Sequence, residues 1–395
     1  MPPFAPASFR PGSTPWSAAL AWTLASLLPA SLPAATLQVG PGGLATIAEA
    51  ARLARDGDVV EIFAGTYRGD VAVWRQRRLT IRGMGGLAEL LADGQSAEDK
   101  AIWVIRDGDF TIEGIAFRGA RVPNGNGAGI RFEKGRLAIR NCRFEDNEMG
   151  ILTGNDPESV LMIHDSEFAH APRGAERPLK HLLYAGHIAR LEVRGSRFHD
   201  GYIAHLLKSR ARESDLRYNL VWDGPTGSAS YEMDFPNGGV VTLIGNLVGQ
   251  NAATANPALI SFGAEGPGWP EHRLTLAHNT LINQAGPAAH FTRVWTEKLG
   301  PVATAFHNNL LVGPGLLEGA PAAEARHWGG VRDLSGLDFR PAPGLARVPP
   351  PPRELAPTAQ FTLPLGTRPL APPRRWRPGA IQAAAAGLRP DPAVP

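Results

Sequence analysis

Ile139-Arg-Asn-Cys-Arg-Phe144, Ile163-His-Asp-Ser-Glu-Phe168 and Val193-Arg-Gly-Ser-Arg-Phe198 are three copies of one pattern. Each has an apolar residue, a turn marker two positions on, a small polar residue and an apolar residue. The pattern continues as Leu216-Arg-Tyr-Asn-Leu-Val221, Leu243-Ile-Gly-Asn-Leu-Val248 and Leu276-Ala-His-Asn-Thr-Leu281. The markers are Gly83, Gly114, Asn141, Asp165, Gly195, Tyr218, Gly245, His278 and His307. They recur every 28 residues on average, (307 − 83)/8, a spacing that marks a repeat architecture. No copy contains an obvious helix: short alternating strands are split by Gly and Asn turns. Such a unit cannot bury its apolar face alone, so the copies must stack, about 4.8 Å apart.

Stacking turns equivalent positions into columns. One inward column is Ile112, Ile139, Ile163, Val193, Leu216, Leu243, Leu276. A second is Phe117, Phe144, Phe168, Phe198, Val221, Val248, Leu281. The small polar slot runs Cys142, Ser166, Ser196, Asn219, Asn246, Asn279, Asn308, and its amides are expected to hydrogen-bond along the stack. Cys142 is then a buried rung, and a chain with one cysteine has no internal disulfide.

These columns resemble the right-handed parallel β-helix of the pectate-lyase-like superfamily. The fold class expected is all-β, a parallel β-helix solenoid with a short N-terminal capping helix and a Pro-rich C-terminal tail. Residues 36–78 form the cap and first coil, 79–315 the solenoid and 316–395 an irregular closing segment. In the cap, Ile47, Ala50, Ala51 and Ala54 have helical spacing. In the tail, 15 of the 36 prolines fall in 341–395, so that segment is expected to cross the outside of the solenoid. Residues 1–35 read as an export signal, with Arg10 ahead of the apolar run Ser17–Leu28 and small residues at Ala30, Ala34 and Ala35. The location expected is periplasmic or extracellular, and the molecule a monomer without a membrane span.

Net charge is only +3, so no nucleic-acid surface is expected. The chemistry is concentrated between His181 and Asn237. His181-Leu-Leu-Tyr184 aligns with His205-Leu-Leu-Lys208, and the next coils continue with Tyr231-Glu-Met-Asp234 and Leu259-Ile-Ser261. If Leu183, Leu207, Met233 and Ile260 point inward, then Tyr184, Lys208, Asp234 and Ser261 form an outward column, because a strand alternates faces. His181, His205 and Tyr231 form a second column beside it. Arg210 follows Lys208 on the same side.

A sheet face of this kind suits an acidic polysaccharide. β-Elimination needs a cation for the uronate carboxylate, a base for the C5 proton and an acid for the leaving oxygen. The candidates are Lys208, Arg210, His205, Tyr231 and Asp234 as catalytic groups. His181, Tyr184, Glu232, Asn237 and Trp222 are the substrate-binding candidates. The segment Leu207-Lys-Ser-Arg, followed by Tyr218-Asn219, resembles the alginate and dermatan lyases, and that resemblance implies Lys208 as the base. Gly201 and Ile203 stand where those lyases carry calcium-holding carboxylates, and Asp234 and Asn237 where they carry an arginine. No cofactor and no metal site is expected, with calcium left open. The alternatives are a glycoside hydrolase pairing Asp234 with Glu232 or Asp200, and a non-catalytic glycan-binding protein.

Overall fold

The computed structural model describes residues 34–173, 179–320 and 326–382. The export signal expected over 1–35 lies outside these residues apart from its last two positions. No helix among them is long and apolar enough to cross a membrane.

The chain winds as a parallel β-solenoid. One sheet has ten strands, one from each coil: Ala72–Trp74, Ala101–Ile105, Ala128–Phe132, Met149–Thr153, Leu183–Ala185, Leu207–Ser209, Met233–Phe235, Ala258–Phe262, His290–Val294 and Leu316–Leu317. It carries the candidate site and is called the site sheet below. The other walls are two parallel ladders joined at sharp bends. Asp109–Glu113, Arg136–Arg140 and Val160–His164 are successive strands of one ladder; Ile115–Arg118, Arg143–Glu145 and Glu167–Ala169 are successive strands of the other.

Both inward columns are realised. Ile112, Ile139, Ile163, Val193, Leu216, Leu243 and Leu276 are opposite one another in register and fully buried. Phe117, Phe144, Phe168 and Phe198 stack with centroids 5.1, 4.6 and 4.7 Å apart and planes within 11° of parallel. Between the two columns the chain turns through one residue in the left-handed region: Asn141 (φ 48°), Asp165 (48°), Tyr218 (57°) and His278 (52°). These are the marker positions, which explains why Gly, Asn and Asp recur there. Gly83 departs from the expectation and lies inside the strand Arg78–Leu91.

The residue after each marker points inward and closes the bend. The backbone N–H of Cys142 donates to Ser166 Oγ (3.1 Å), that of Ser166 to Ser196 Oγ (3.2 Å), and that of Ser196 to Asn219 Oδ1 (2.9 Å). The amides then continue the series. Asn219 Nδ2 donates to Asn246 Oδ1, Asn246 to Asn279 and Asn279 to Asn309, at 2.9–3.0 Å. The last rung is thus Asn309, not Asn308. The expected register slips by one there: Asn308 takes the left-handed marker position (φ 54°) in place of His307. Cys142 is buried, and burial pushes its thiol up to about 12, so it is unreactive.

The helix Ile47–Leu53 is capped by Thr46 Oγ1, which accepts from Glu49 N at 3.1 Å, and it buries Ile47, Ala50 and Ala51 against the first coil. At the other end, Arg326–Gly329 pairs in parallel with Asn309–Val312, so regular pairing continues past 315. The chain then returns along the outside of the solenoid. Phe339, Phe361, Ala380 and Ile381 cover Leu220, Trp222, Leu247 and Ile282. Thr358 N donates to Tyr218 Oη (2.9 Å), Ala380 N to Thr280 Oγ1 (3.0 Å) and Gly366 N to Gly195 O (2.9 Å). The same outward positions in earlier coils are the charged Arg143, Glu145, Glu167 and Arg197.

Candidate active site

On the site sheet, Leu183, Leu207, Met233 and Ile260 are fully buried, and their successors Tyr184, Lys208, Asp234 and Ser261 stand opposite one another in register. Alternation therefore puts the expected outward column where the sequence placed it. Arg293 continues it by one coil.

Lys208 Nζ lies 3.5 Å from Asp234 Oδ2 and 2.9 Å from Glu265 Oε1. Arg210 Nη2 meets the other oxygen of the same carboxylate, Glu265 Oε2, at 2.6 Å. The remaining guanidinium nitrogens are also held. Nε donates to Tyr184 Oη at 2.7 Å, and Nη1 donates to Asn237 Oδ1. Lys208 Nζ and the Arg210 guanidinium both lie over the Tyr184 ring, 5.6 and 5.7 Å from its centroid. One carboxylate is thus gripped by two cations two residues apart, one on the strand Leu207–Ser209 and one just past its end.

Glu265 was not singled out in the sequence. It sits in a loop after Ala258–Phe262, off the repeat. Its backbone fixes it, because Glu265 N donates to Pro236 O (2.9 Å) and Gly268 N to Asn237 O (3.0 Å). Trp269 closes the same loop onto the site: its Nε1 donates to Arg210 O at 2.9 Å, and its ring stacks on His187 at 3.7 Å. The Glu265 side chain remains about half exposed, so it can swing out without unfolding the loop.

His181, His205 and Tyr231 form the expected second column, stacked at 4.9 and 5.0 Å. The backbone N–H of His205 donates to His181 Nδ1 (3.1 Å), and that of Tyr231 to His205 Nδ1 (3.2 Å). Each Nδ1 is therefore an acceptor, which assigns the proton of the neutral ring to Nε2. His205 Nε2 faces Asp234 Oδ2 at 3.4 Å. Burial holds both rings neutral, pushing His181 down to about 3 and His205 well below its ordinary value. His205 thereby orients Asp234 and is not placed to take a proton itself.

Asp234 is buried, and burial raises its carboxyl to about 6 despite the pull of Lys208. The Ser261 hydroxyl beside it pulls in the same direction as Lys208 and is likewise outweighed by burial. Burial likewise raises the Tyr231 hydroxyl, which feels both Asp234 and Arg293. Glu265 is moved in the opposite direction: burial raises it, but the Lys208 and Arg210 hydrogen bonds outweigh that and leave it low.

Of the ten residues expected at the site, Lys208, Arg210, His205, Tyr231, Asp234, His181, Tyr184 and Asn237 come together. Two do not. Trp222 is buried beneath the returning tail, edge-on to Phe339 at 5.8 Å, and is unavailable to a sugar. Glu232 is fully buried one residue before Met233, where neighbouring coils carry Leu206 and Leu259. Neither of its oxygens has a partner, and burial pushes the carboxyl well above its ordinary range. Asp200 is placed apart, with His199 and Thr226. The expected hydrolase pairs, Asp234 with Glu232 or with Asp200, are therefore not assembled.

No family model matches the sequence, and no curated protein matches it. Among solved structures, the chain is similar to one described as the crystal structure of pectate lyase Pel9A. The two share 12% identity over 73% of this chain and 78% of that one, with a TM-score of 0.51. An identity this low speaks for the fold alone. The chain has a parallel β-helix fold, similar to that of this pectate lyase.

Proposed function

We propose that the chain is a polysaccharide lyase that cleaves a uronate-containing polysaccharide by β-elimination on the face of Lys208 and Arg210. The observation that supports this is the grip of Lys208 and Arg210 on Glu265. A half-exposed carboxylate already sits, two oxygens to two cations, against the outward column of the site sheet, and a uronate carboxylate has the same chemistry. Substrate enters by displacing Glu265. Arg210, fixed by Tyr184 and Asn237, then carries the substrate carboxylate and draws charge off C5. Lys208 loses one of its two anionic partners. The other, Asp234, is buried, which disfavours its ionised form. Once its own proton has passed to solvent, Lys208 as the neutral amine takes the C5 proton, the C4–O bond breaks as the C4–C5 double bond forms, and Tyr231 gives its proton to the leaving oxygen.

One observation favours a hydrolase instead. Asp234 and Glu265 flank one nitrogen, so their nearest oxygens are less than about 6.5 Å apart, within reach of a two-carboxylate mechanism. Their environments also push one up and the other down, which would make Asp234 the acid and Glu265 the anion. Glu265→Gln separates the two readings. In the lyase it removes a competitor for the subsite, so KM for an acidic polysaccharide falls and activity survives. In the hydrolase activity is lost.

The test is a screen of acidic polysaccharides for new ultraviolet absorbance from unsaturated uronates, followed by Lys208→Ala. Loss of the base should lower the rate about 10²–10⁴-fold. Near-full activity of Lys208→Ala on a cleaved substrate would remove the lysine from the mechanism. Binding of an acidic glycan without cleavage would favour a non-catalytic receptor.

A further inference from the structure

A second cluster lies on a different wall of the solenoid and owes nothing to the lyase reading. His170, His199 and Asp200 each offer one ligand atom, and the three atoms lie within 4.8 Å of one another. Asp200 Oδ2 is 2.5 Å from His199 Nδ1 and 3.6 Å from His170 Nδ1. His170 and His199–Asp200 belong to neighbouring coils, at the bends that follow Glu167–Ala169 and Arg197–His199.

The atoms facing away from the cluster are already occupied. His199 Nε2 is 2.9 Å from Glu167 Oε1, and Glu167 Oε2 is itself held by Arg143 Nε at 3.0 Å. Asp200 Oδ1 accepts from Thr226 Oγ1 at 2.8 Å. A histidine whose far nitrogen is bound to a carboxylate is the usual arrangement behind a metal ligand. That contact fixes the ring and raises the basicity of the near nitrogen. Here two of the three candidate ligands are aimed at one point by partners of this kind. His170 and Asp200 also line a cavity of about 400 Å³, which leaves the front of the cluster open.

We propose that His170 Nδ1, His199 Nδ1 and Asp200 Oδ2 form a site for a divalent transition ion of the zinc class. Two imidazoles and one carboxylate suit such an ion and not calcium, which takes oxygen ligands. Bonds of about 2.0–2.1 Å place tetrahedral ligands about 3.3 Å apart. His170 and Asp200 are near that spacing, and the contact between His199 and Asp200 must open by roughly 1 Å. The ion replaces the proton that His199 and Asp200 share, so binding releases it. Three protein ligands leave one position facing the cavity, for water or an anion. Because the ligands come from two coils, the bound ion also ties those coils together. The sequence did not show this site because His170 and His199 are one coil apart and become neighbours only when the coils stack.

The experiment is calorimetric titration of zinc into the full chain, purified without a histidine tag, in two buffers of different ionisation heat. Cobalt(II) absorption reports the coordination. One ion should bind per chain, with proton release, a tetrahedral cobalt spectrum and a raised melting temperature. His170→Ala should weaken binding at least tenfold without disturbing the fold, since the His170 side chain is more than half exposed. Glu167→Gln should weaken it roughly tenfold by removing the partner of His199. The proposal is overturned if the full chain binds no zinc, or if His170→Ala binds it as tightly as the unaltered chain.

Discussion

At the scale of single residues, the site is a set of charges whose neighbours decide what each can do. Arg210 has every nitrogen assigned, so it acts as a fixed fork. Arg210→Ala should raise KM and lower kcat together, as loss of a contact that tightens in the transition state does; steady-state kinetics on the screened substrate checks it. Glu232 is the opposite case, a carboxyl without partners in an apolar column. Its folded pKa is raised above the unfolded value of about 4.3, so the folded state holds the proton longer than the unfolded state does. Its contribution is thus intact below the unfolded pKa and is lost as pH rises toward the folded one. Glu232→Leu extends the column of Leu206 and Leu259. It should stabilise the chain by about 1–3 kcal/mol at pH 8 and by less at pH 4.5, read from urea unfolding at both values. A larger gain at the lower pH would contradict this.

At the scale of the strand and its bend, the repeat made most of the fold legible. Each coil repeats one alternation of inward and outward residues, and the left-handed bend selects Gly, Asn, Asp or a residue that tolerates it. Register along the site sheet followed from the same alternation, and with it the Tyr184–Lys208–Asp234–Ser261 column. The slip from Asn308 to Asn309 was not legible, because two adjacent asparagines satisfy one pattern. Glu265 was missed for a deeper reason. It comes from a loop between coils, whose length varies and carries no period, and its partners are 57 and 55 residues away. Glu232 was misplaced because a carboxylate beside a reactive column looks functional until the burial of its neighbours is known. Leu243→Ala tests the inward column. It should cost about 2–5 kcal/mol, from lost burial and the cavity left behind. Asn246→Ala tests the amide ladder. It should cost about 1–3 kcal/mol or more, because it strands Asn219 N and the Leu216 carbonyl in the interior. Thermal or chemical denaturation measures both.

At the scale of the whole molecule, a solenoid of like coils is held by contacts between neighbours, and the returning tail is the exception. Tyr218 and Thr358 bond across 140 residues of chain, and Gln382 reaches His278 across 104. Composition placed the Pro-rich tail on the outside of the solenoid. The structure adds where its apolar residues go, onto coils whose outward positions are Leu220, Leu247 and Ile282 rather than charged. Seen as a folding problem, this strap divides the molecule kinetically. The tail contacts described above begin at Gly195, so the earlier coils can fold, or fray, one at a time from the N-terminal side. Coils from Gly195 onward are closed into a long loop that is complete only when the last residues dock, so they should open together or not at all. Native-state hydrogen exchange should then show graded protection over the early coils and one shared opening energy across Leu216, Leu243 and Leu276. Cutting the chain before Ala359 should turn that shared value back into a gradient.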